Sequence, residues 1–166
     1  MASTHITLGM GCWIAYSNMK GIPIQPLALG IAAIGSLLPD IDHPKSKFGR
    51  AVPFLSYPIS MIFGHRGITH SVLAAVVSAI ILYFYGAATW FVAPLIVGYL
   101  SHVAGDVFTN SGAPLLWPNK RKFSVPLFNT GGFLEFVFLT LLLTFVIWMV
   151  LKNAQYQNIW HWLIQR

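Results

Sequence analysis

Charge is what this chain has least of. Only 8% of its 166 residues are Asp, Glu, Lys or Arg, while 56% are hydrophobic. Soluble domains carry about 25% charged residues, so the polar surface of an ordinary cytosolic globule is missing. The high apolar content also excludes intrinsic disorder. Cysteine is nearly absent: Cys12 stands alone, which rules out a disulfide framework and leaves no thiolate cluster for zinc. Acids number four against ten Lys and Arg, a formal charge of +6. Such an excess can serve nucleic acid, but in a bilayer protein the positive-inside bias explains it without that partner. No basic n-region precedes the first apolar run, because the first Lys or Arg is Lys20. A cleaved signal is therefore not expected. These shortages point to an all-α helix bundle embedded in lipid, a single domain over residues 1–166.

What is present is apolar sequence in five stretches. The first covers Ile6 to Met19 and the second Pro26 to Leu38. Each reaches roughly 20 Å as a helix, short of the roughly 30 Å hydrocarbon core. They read as short tilted spans or as a re-entrant hairpin. Val72 to Ala88 and Trp90 to Val107 are close to full length. Phe133 to Leu151 is the clearest span, 19 residues with Glu135 as the only charge. Val52 to Phe63, with Pro53 and Pro58, reads as an interfacial segment. The tail Asn153 to Arg166 carries Trp160, His161 and Trp162 and reads as an interfacial anchor. Counting crossings puts residues 39–71 and 108–132 on the side of the N-terminus. That side holds seven basic residues, Lys45, Lys47, Arg50, Arg66, Lys120, Arg121 and Lys122, against Lys20, Lys152 and Arg166 on the other. The asymmetry predicts a multi-pass protein with the N-terminal side cytoplasmic.

The four acids are Asp40, Asp42, Asp106 and Glu135. The same crossing count brings all of them to one membrane face, together with His5, His65 and His70, with His102 about one turn deeper. His102 and Asp106 are four apart, which stacks them on one helix face. Ionisable groups inside a membrane helix are costly and commonly functional, so the pair predicts metal ligation. A polar seal between helices is the alternative. Asp40 and Asp42 lie between Pro39 and Pro44, so an extended stretch is expected. Both carboxylates would then point the same way and call for a cation between them. An acidic turn at a helix C-terminus is the alternative, where the dipole disfavours it. His65 and His70, with Gly64 and Gly67, predict a loop that turns at least one imidazole inward, with Thr69 or Ser71 capping the next helix.

Arg66 is a candidate clamp for an anionic oxygen such as phosphate. His5 is a further candidate ligand, and His43 a candidate to orient Asp42. Glu135 is a ligand, a general base, or a charge favoured by a helix N-terminus. Pro114 to Lys122 reads as an amphipathic loop whose Lys120, Arg121 and Lys122 meet anionic lipid.

Asp and His without Cys suit Zn²⁺, Mn²⁺ or Fe²⁺. The pool His5, Asp40, Asp42, His65, His70, His102 and Asp106 exceeds what one four-coordinate ion needs, so one or two ions are expected. The usual chemistry of paired ions is phosphoester hydrolysis. A bilayer-facing cleft favours a substrate with a lipid tail, with Asp42 or Glu135 taking the proton from water. A metal or proton carrier is one rival, disfavoured because the acids gather at one face. A structural metal with no open position is the other.

Three blocks carry a resemblance: Leu-Leu-Pro-Asp40-Ile-Asp42-His-Pro-Lys-Ser, Phe-Gly-His65-Arg-Gly-Ile-Thr-His70-Ser, and Gly-Tyr-Leu-Ser-His102-Val-Ala-Gly-Asp106, followed by Gly-Ala-Pro-Leu-Leu-Trp-Pro. In this order, over roughly residues 1–130, they resemble the YdjM family of bacterial inner-membrane, metal-dependent hydrolases. The resemblance implies an inner-membrane location, metal-dependent hydrolysis and, in some members, a link to the LexA-regulated DNA-damage response. The pattern is also similar, more distantly, to zinc-dependent phospholipase C. That similarity implies His5, Asp40 or Asp42, His65 or His70, and His102 with Asp106 as ligands. The chain lacks that enzyme's later His-x-x-x-Glu pair, so a three-metal site is not implied.

Overall fold

The computed structural model describes residues 2–64 and 66–164, with side chains through residue 153. Among them, seven α-helices form: α1 (Ala2–Lys20), α2 (Pro26–Gly35), α3 (Lys47–Ala51), α4 (Pro53–Phe63), α5 (Val72–Phe84), α6 (Thr89–Val107) and α7 (Phe133–Ile164). Two short 3-10 turns, Leu38–Asp42 and Ile68–His70, punctuate the connections. No strand forms among the described residues. The connection at 108–132 is held by isolated bridges that pair Thr109 with Phe128 and Ala113 with Phe123.

Helix α6 is the axis, and α1, α2 and α5 all pack on it. Small residues decide how closely. A Cβ at Gly98 would strike the Ala32 carbonyl, and one at Gly35 would strike the backbone of Leu95. The backbones of α2 and α6 therefore touch, as small residues permit in membrane bundles. Helix α1 lies over this crossing, where a Cβ at Gly9 would come within 2.8 Å of Ser36 Cβ. Trp13, Ala28 and Ala32 form one buried cluster nearby, and Ala75, Tyr99, Val103 and Ala113 another.

Among the described residues, two stretches are long and apolar enough to cross a bilayer, Thr89–Val107 in α6 and Phe133–Asn153 in α7. Helix α7 packs along α1, and only 11% of its apolar stretch is buried, against 44% in α6. Leu134, Phe136, Leu141, Phe145 and Ile147 are each at least half exposed. A helix apolar on nearly every face belongs against lipid rather than water. Helices α4 and α5 are shorter and apolar, and they turn Phe54, Met61, Val76 and Ile80 outward.

The chain departs from its expected layout in several places. Helix α1 begins at Ala2 and runs 19 residues, roughly 28 Å. It outlasts its apolar stretch because Thr4 and His5, ahead of that stretch, are buried inside the protein. Helix α2 is shorter than expected and ends at Gly35 after ten residues.

The stretch holding Asp40 and Asp42 is a 3-10 turn, not an extended segment. Pro39 enters its first turn, where the missing N–H goes unused. The restriction imposed by Pro44 falls on His43 alone, which is extended at φ −118° and ψ 95°. With about three residues per turn, side chains at i and i+2 point about 120° apart. Asp40 and Asp42 therefore diverge instead of facing one cation together. The expected interfacial segment is helical from Pro53, with Pro58 inside it. The expected tail anchor is a continuation of α7 to Ile164; the side chains of Trp160, His161 and Trp162 lie outside those described, and His65 lies outside the described residues.

Candidate metal centre

His102 and Asp106 stand one turn apart on α6, and the Gly98 crossing lies one turn before them. That crossing carries the end of α2 over His102, whose Nδ1 lies 2.6 Å from the carbonyl oxygen of Ser36. A carbonyl only accepts, so a proton sits on Nδ1, and the neutral ring then offers its Nε2 lone pair. His70 arrives from the 3-10 turn before α5. Ser71 fixes that junction, its Oγ accepting from the Ala74 N–H at 3.2 Å. The Tyr99 hydroxyl fixes it from α6 by donating to the Thr69 carbonyl at 2.5 Å. Asp42 Oδ2 faces His70 Nδ1 at 3.2 Å, so this ring too carries its proton on Nδ1. The two Nε2 atoms stand 3.3 Å apart.

Two carboxylates complete the ring. Asp106 Oδ2 lies 3.4 Å from His70 Nε2 and 3.6 Å from His102 Nε2. Asp40 Oδ1 lies 3.8 Å from each. Two nitrogens held by zinc at about 2.05 Å under a tetrahedral angle stand about 3.3 Å apart, the separation found here. Asp106 Oδ2 is buried with no hydrogen-bond partner. Burying such an oxygen unpaired is costly, and imidazole nitrogens presented as acceptors bring it no proton. A cation among these atoms removes the conflict, so the donor set fits a divalent ion of the zinc type. Asp40, His70 and His102 form one group able to hold an ion, and His5, His102 and Asp106 a second.

Helix α1 lays His5 on His102, the rings stacked at 3.8 Å and 17°. His5 Nε2 lies 3.7 Å from Asp106 Oδ1, and its Nδ1 is buried without a partner. Gly105 leaves the room this needs, since a Cβ there would sit 3.4 Å from His5 Cε1 and Nδ1.

Arg66 holds φ at 58°, the left-handed region that residues other than glycine seldom adopt. That conformation aims its backbone N–H at Asp42 Oδ2, 3.0 Å away. It also folds the guanidinium back onto the Gly112 carbonyl at 3.0 Å and Asp106 Oδ1 at 3.3 Å. Asp106 is thus held by a cation on one oxygen and turns the other to the imidazoles.

Asp42 is wholly buried and accepts from the Thr69 hydroxyl as well. It belongs to neither ion-holding group and orients His70 from behind, as outer-shell carboxylates do. Glu135 also stands apart. Its Oε1 accepts from Thr4 Oγ1 and its Oε2 from the Gly131 N–H, each at 2.6 Å, which ties α7 to α1.

The fold therefore gathers His5, Asp40, His70, His102 and Asp106, sets Asp42 and Arg66 behind them, and leaves Glu135 at a neighbouring wall. Asp40 is at the mouth: its side chain is 21% exposed, against 6% for His5 and 1% for the other three. Ser71, not Thr69, caps the next helix; Thr69 donates to Asp42 instead, and Ser36 and Tyr99 join the site without having been expected there. Ser36 acts through its carbonyl, which no side-chain pattern marks. Tyr99 lies three residues before His102, and that helical spacing was the available signal.

The family described as YdjM inner membrane protein matches residues 1–165. Inner membrane protein YdjM of Escherichia coli (strain K12) is 35% identical over 162 residues, covering 89% of this chain and 82% of that protein. YvsG of Bacillus subtilis (strain 168) is 38% identical over 134 residues, covering 80% of this chain and 82% of YvsG. Inner membrane protein YbcI of Escherichia coli (strain K12) is 35% identical over 135 residues, covering 75% of this chain and 69% of YbcI. No solved structure matches. With a match running from the first residue almost to the last, through every block that supplies the histidine and aspartate cluster, the chain belongs to the YdjM family of inner membrane proteins.

Proposed function

We propose that this protein is a metal-dependent hydrolase of the bacterial inner membrane that cleaves a phosphoester of a lipid or lipid-like amphiphile at the cytoplasmic face. The observation that carries this reading is the buried Asp106 Oδ2, which makes no hydrogen bond and faces the Nε2 atoms of His70 and His102. Asp40, His70 and His102 would hold one ion, and His5 with His102 and Asp106 offers a second position. Such an ion, zinc by its donor set or else manganese or iron, supplies Lewis-acid polarisation and activates water.

The remaining tasks fall to the chain. Asp42 keeps His70 in the tautomer that presents Nε2. Arg66 uses two N–H donors on Gly112 and Asp106, and its others suit a phosphoryl oxygen. Glu135 lines the same cavity as His5 and takes the proton from water. The basic residues within 39–71 and 108–132 support the cytoplasmic orientation, with α1, α2, α5, α6 and α7 as the segments that cross or enter the bilayer.

A structural ion is the second reading, favoured by one observation: the side chains of His70, His102 and Asp106 are each 1% exposed, which leaves little room for an open position. The protein would then act by regulation, in keeping with the DNA-damage link that its family resemblance implies. A metal or proton carrier ranks below both.

The test is metal analysis of the purified protein beside Asp40→Asn and His102→Ala, with phosphatase and phospholipase assays on each. The proposal expects metal depleted in both variants and turnover only by the loaded wild type. Metal retained in both would reject the ligand set. Bound metal with no turnover of any phosphoester would leave the structural ion.

A further inference from the structure

Beside the ligand cluster, α1, α6, α7 and the 108–132 connection surround a cavity of about 400 Å³, within the about 300–1,000 Å³ typical of small-molecule sites. Leu8, Phe108, Leu127 and Phe138 make its walls apolar. Ser101 and Thr109 also line it, but their hydroxyls turn away to the carbonyls of Gly98 and Asp106.

Polar character concentrates where Thr4, His5 and Glu135 come together, with Thr4 bonded to Glu135 at 2.6 Å. His5 belongs both to this wall and to the group it forms with His102 and Asp106. It is 4% exposed, and its Nδ1 is buried with no partner. The ring edge carrying that nitrogen lies over Gly105, which also lines the cavity. Among the described residues, α6 and α7 carry the two stretches both long and apolar enough to cross a bilayer, so a slot lined by them suits an apolar occupant. A peptide in such a slot would bury backbone N–H and C=O groups unpaired, and a free phosphate would find no donors along the walls.

We infer that this cavity takes one acyl chain of a lipid, with the lipid's polar end at His5 beside the candidate metal centre. Its catalytic consequence rests on the hydrolase reading, because a seated chain would hold the phosphoester next to the ligands. Binding itself needs neither metal nor turnover.

Cys12, the sole cysteine, lines the cavity, so its modification reports occupancy independently of activity. Full-length protein in detergent, stripped of metal with a chelator, is treated with a small uncharged maleimide. The reagent is given alone, with oleoyl lysophosphatidate, or with glycerol phosphate. At about ten times its Kd the lysolipid slows modification about tenfold by mass action, and glycerol phosphate leaves the rate unchanged.

Ala104→Trp fills the cavity from an exposed position on α6 and abolishes the protection. Leu127→Trp, 57% exposed as Leu, does so from the 108–132 connection if Ala104→Trp does not fold. Equal rates with and without lysolipid, equal protection by glycerol phosphate, or protection that persists in folded Trp variants would overturn the inference. Protection without turnover of any phosphoester would keep the acyl site and reject the hydrolase. Turnover without protection would keep the hydrolase and reject the acyl site.

Discussion

Ser36 and His102 meet through a 2.6 Å hydrogen bond between a backbone carbonyl oxygen and an imidazole Nδ1, and Gly98, one turn earlier on α6, is what lets them meet. Gly98→Ala puts a methyl against the Ala32 carbonyl and the Ser36 N–H, which pushes α2 off α6 and the carbonyl off His102. Metal affinity is expected to fall about 10- to 100-fold, as when an outer partner of a ligand is lost. Overpacking lowers stability by about 1–3 kcal/mol. Competitive metal titration and thermal unfolding measure the two effects. An unchanged affinity would separate the helix crossing from the site.

Asp42→Asn keeps the shape behind His70 but removes the charge that faces His70 Nδ1 at 3.2 Å. Affinity is expected to drop about 10- to 100-fold while saturating metal still fills the site. Asp40→Asn removes a proposed ligand and is expected to weaken binding more. Calorimetric titration of the two variants side by side shows whether the order holds.

Arg66→Met strips the cation from Asp106 Oδ1. The guanidinium is 12% exposed and the carboxylate 1%, so breaking the pair is expected to cost about 3–5 kcal/mol in the metal-free protein. A cation on the Oδ2 side offsets part of that loss. Melting curves should therefore show a larger drop in chelator than in metal. Equal drops would mean that no cation bears on Asp106.

Glu135→Gln is expected to lower kcat about 10²- to 10⁴-fold, the share of a positioned acid or base, with metal content unchanged. Metal analysis and turnover on the same preparation test it. Full activity in this variant would move proton transfer to another group.

Helical spacing made His102 and Asp106 legible, because their relation is local and needs no tertiary knowledge. Counting crossings gathered His5, Asp40 and His70 at the same end, and the fold brings their side chains to those two. The parting of Asp40 and Asp42 was hidden, since a proline that bars helix at the residue before it is welcome in the first turn of a 3-10 segment. The length of α1 was hidden as well. Hydropathy measures preference for solvent, whereas Thr4 and His5 face neighbours on α6 and α7. The contact of Glu135 with Thr4 joins residues 131 apart in the chain, and no local pattern encodes such docking. Arg66 looked like a clamp for substrate, yet its left-handed backbone turns it first toward Asp106.

Of the side chains around the candidate ion, Asp40 alone keeps a foothold outside the packed interior. Capture and escape would both run past that single carboxylate on its short turn. Neutralising it would alter the speed of exchange as well as the final occupancy. Filling would then keep pace with whatever medium meets residues 38–42.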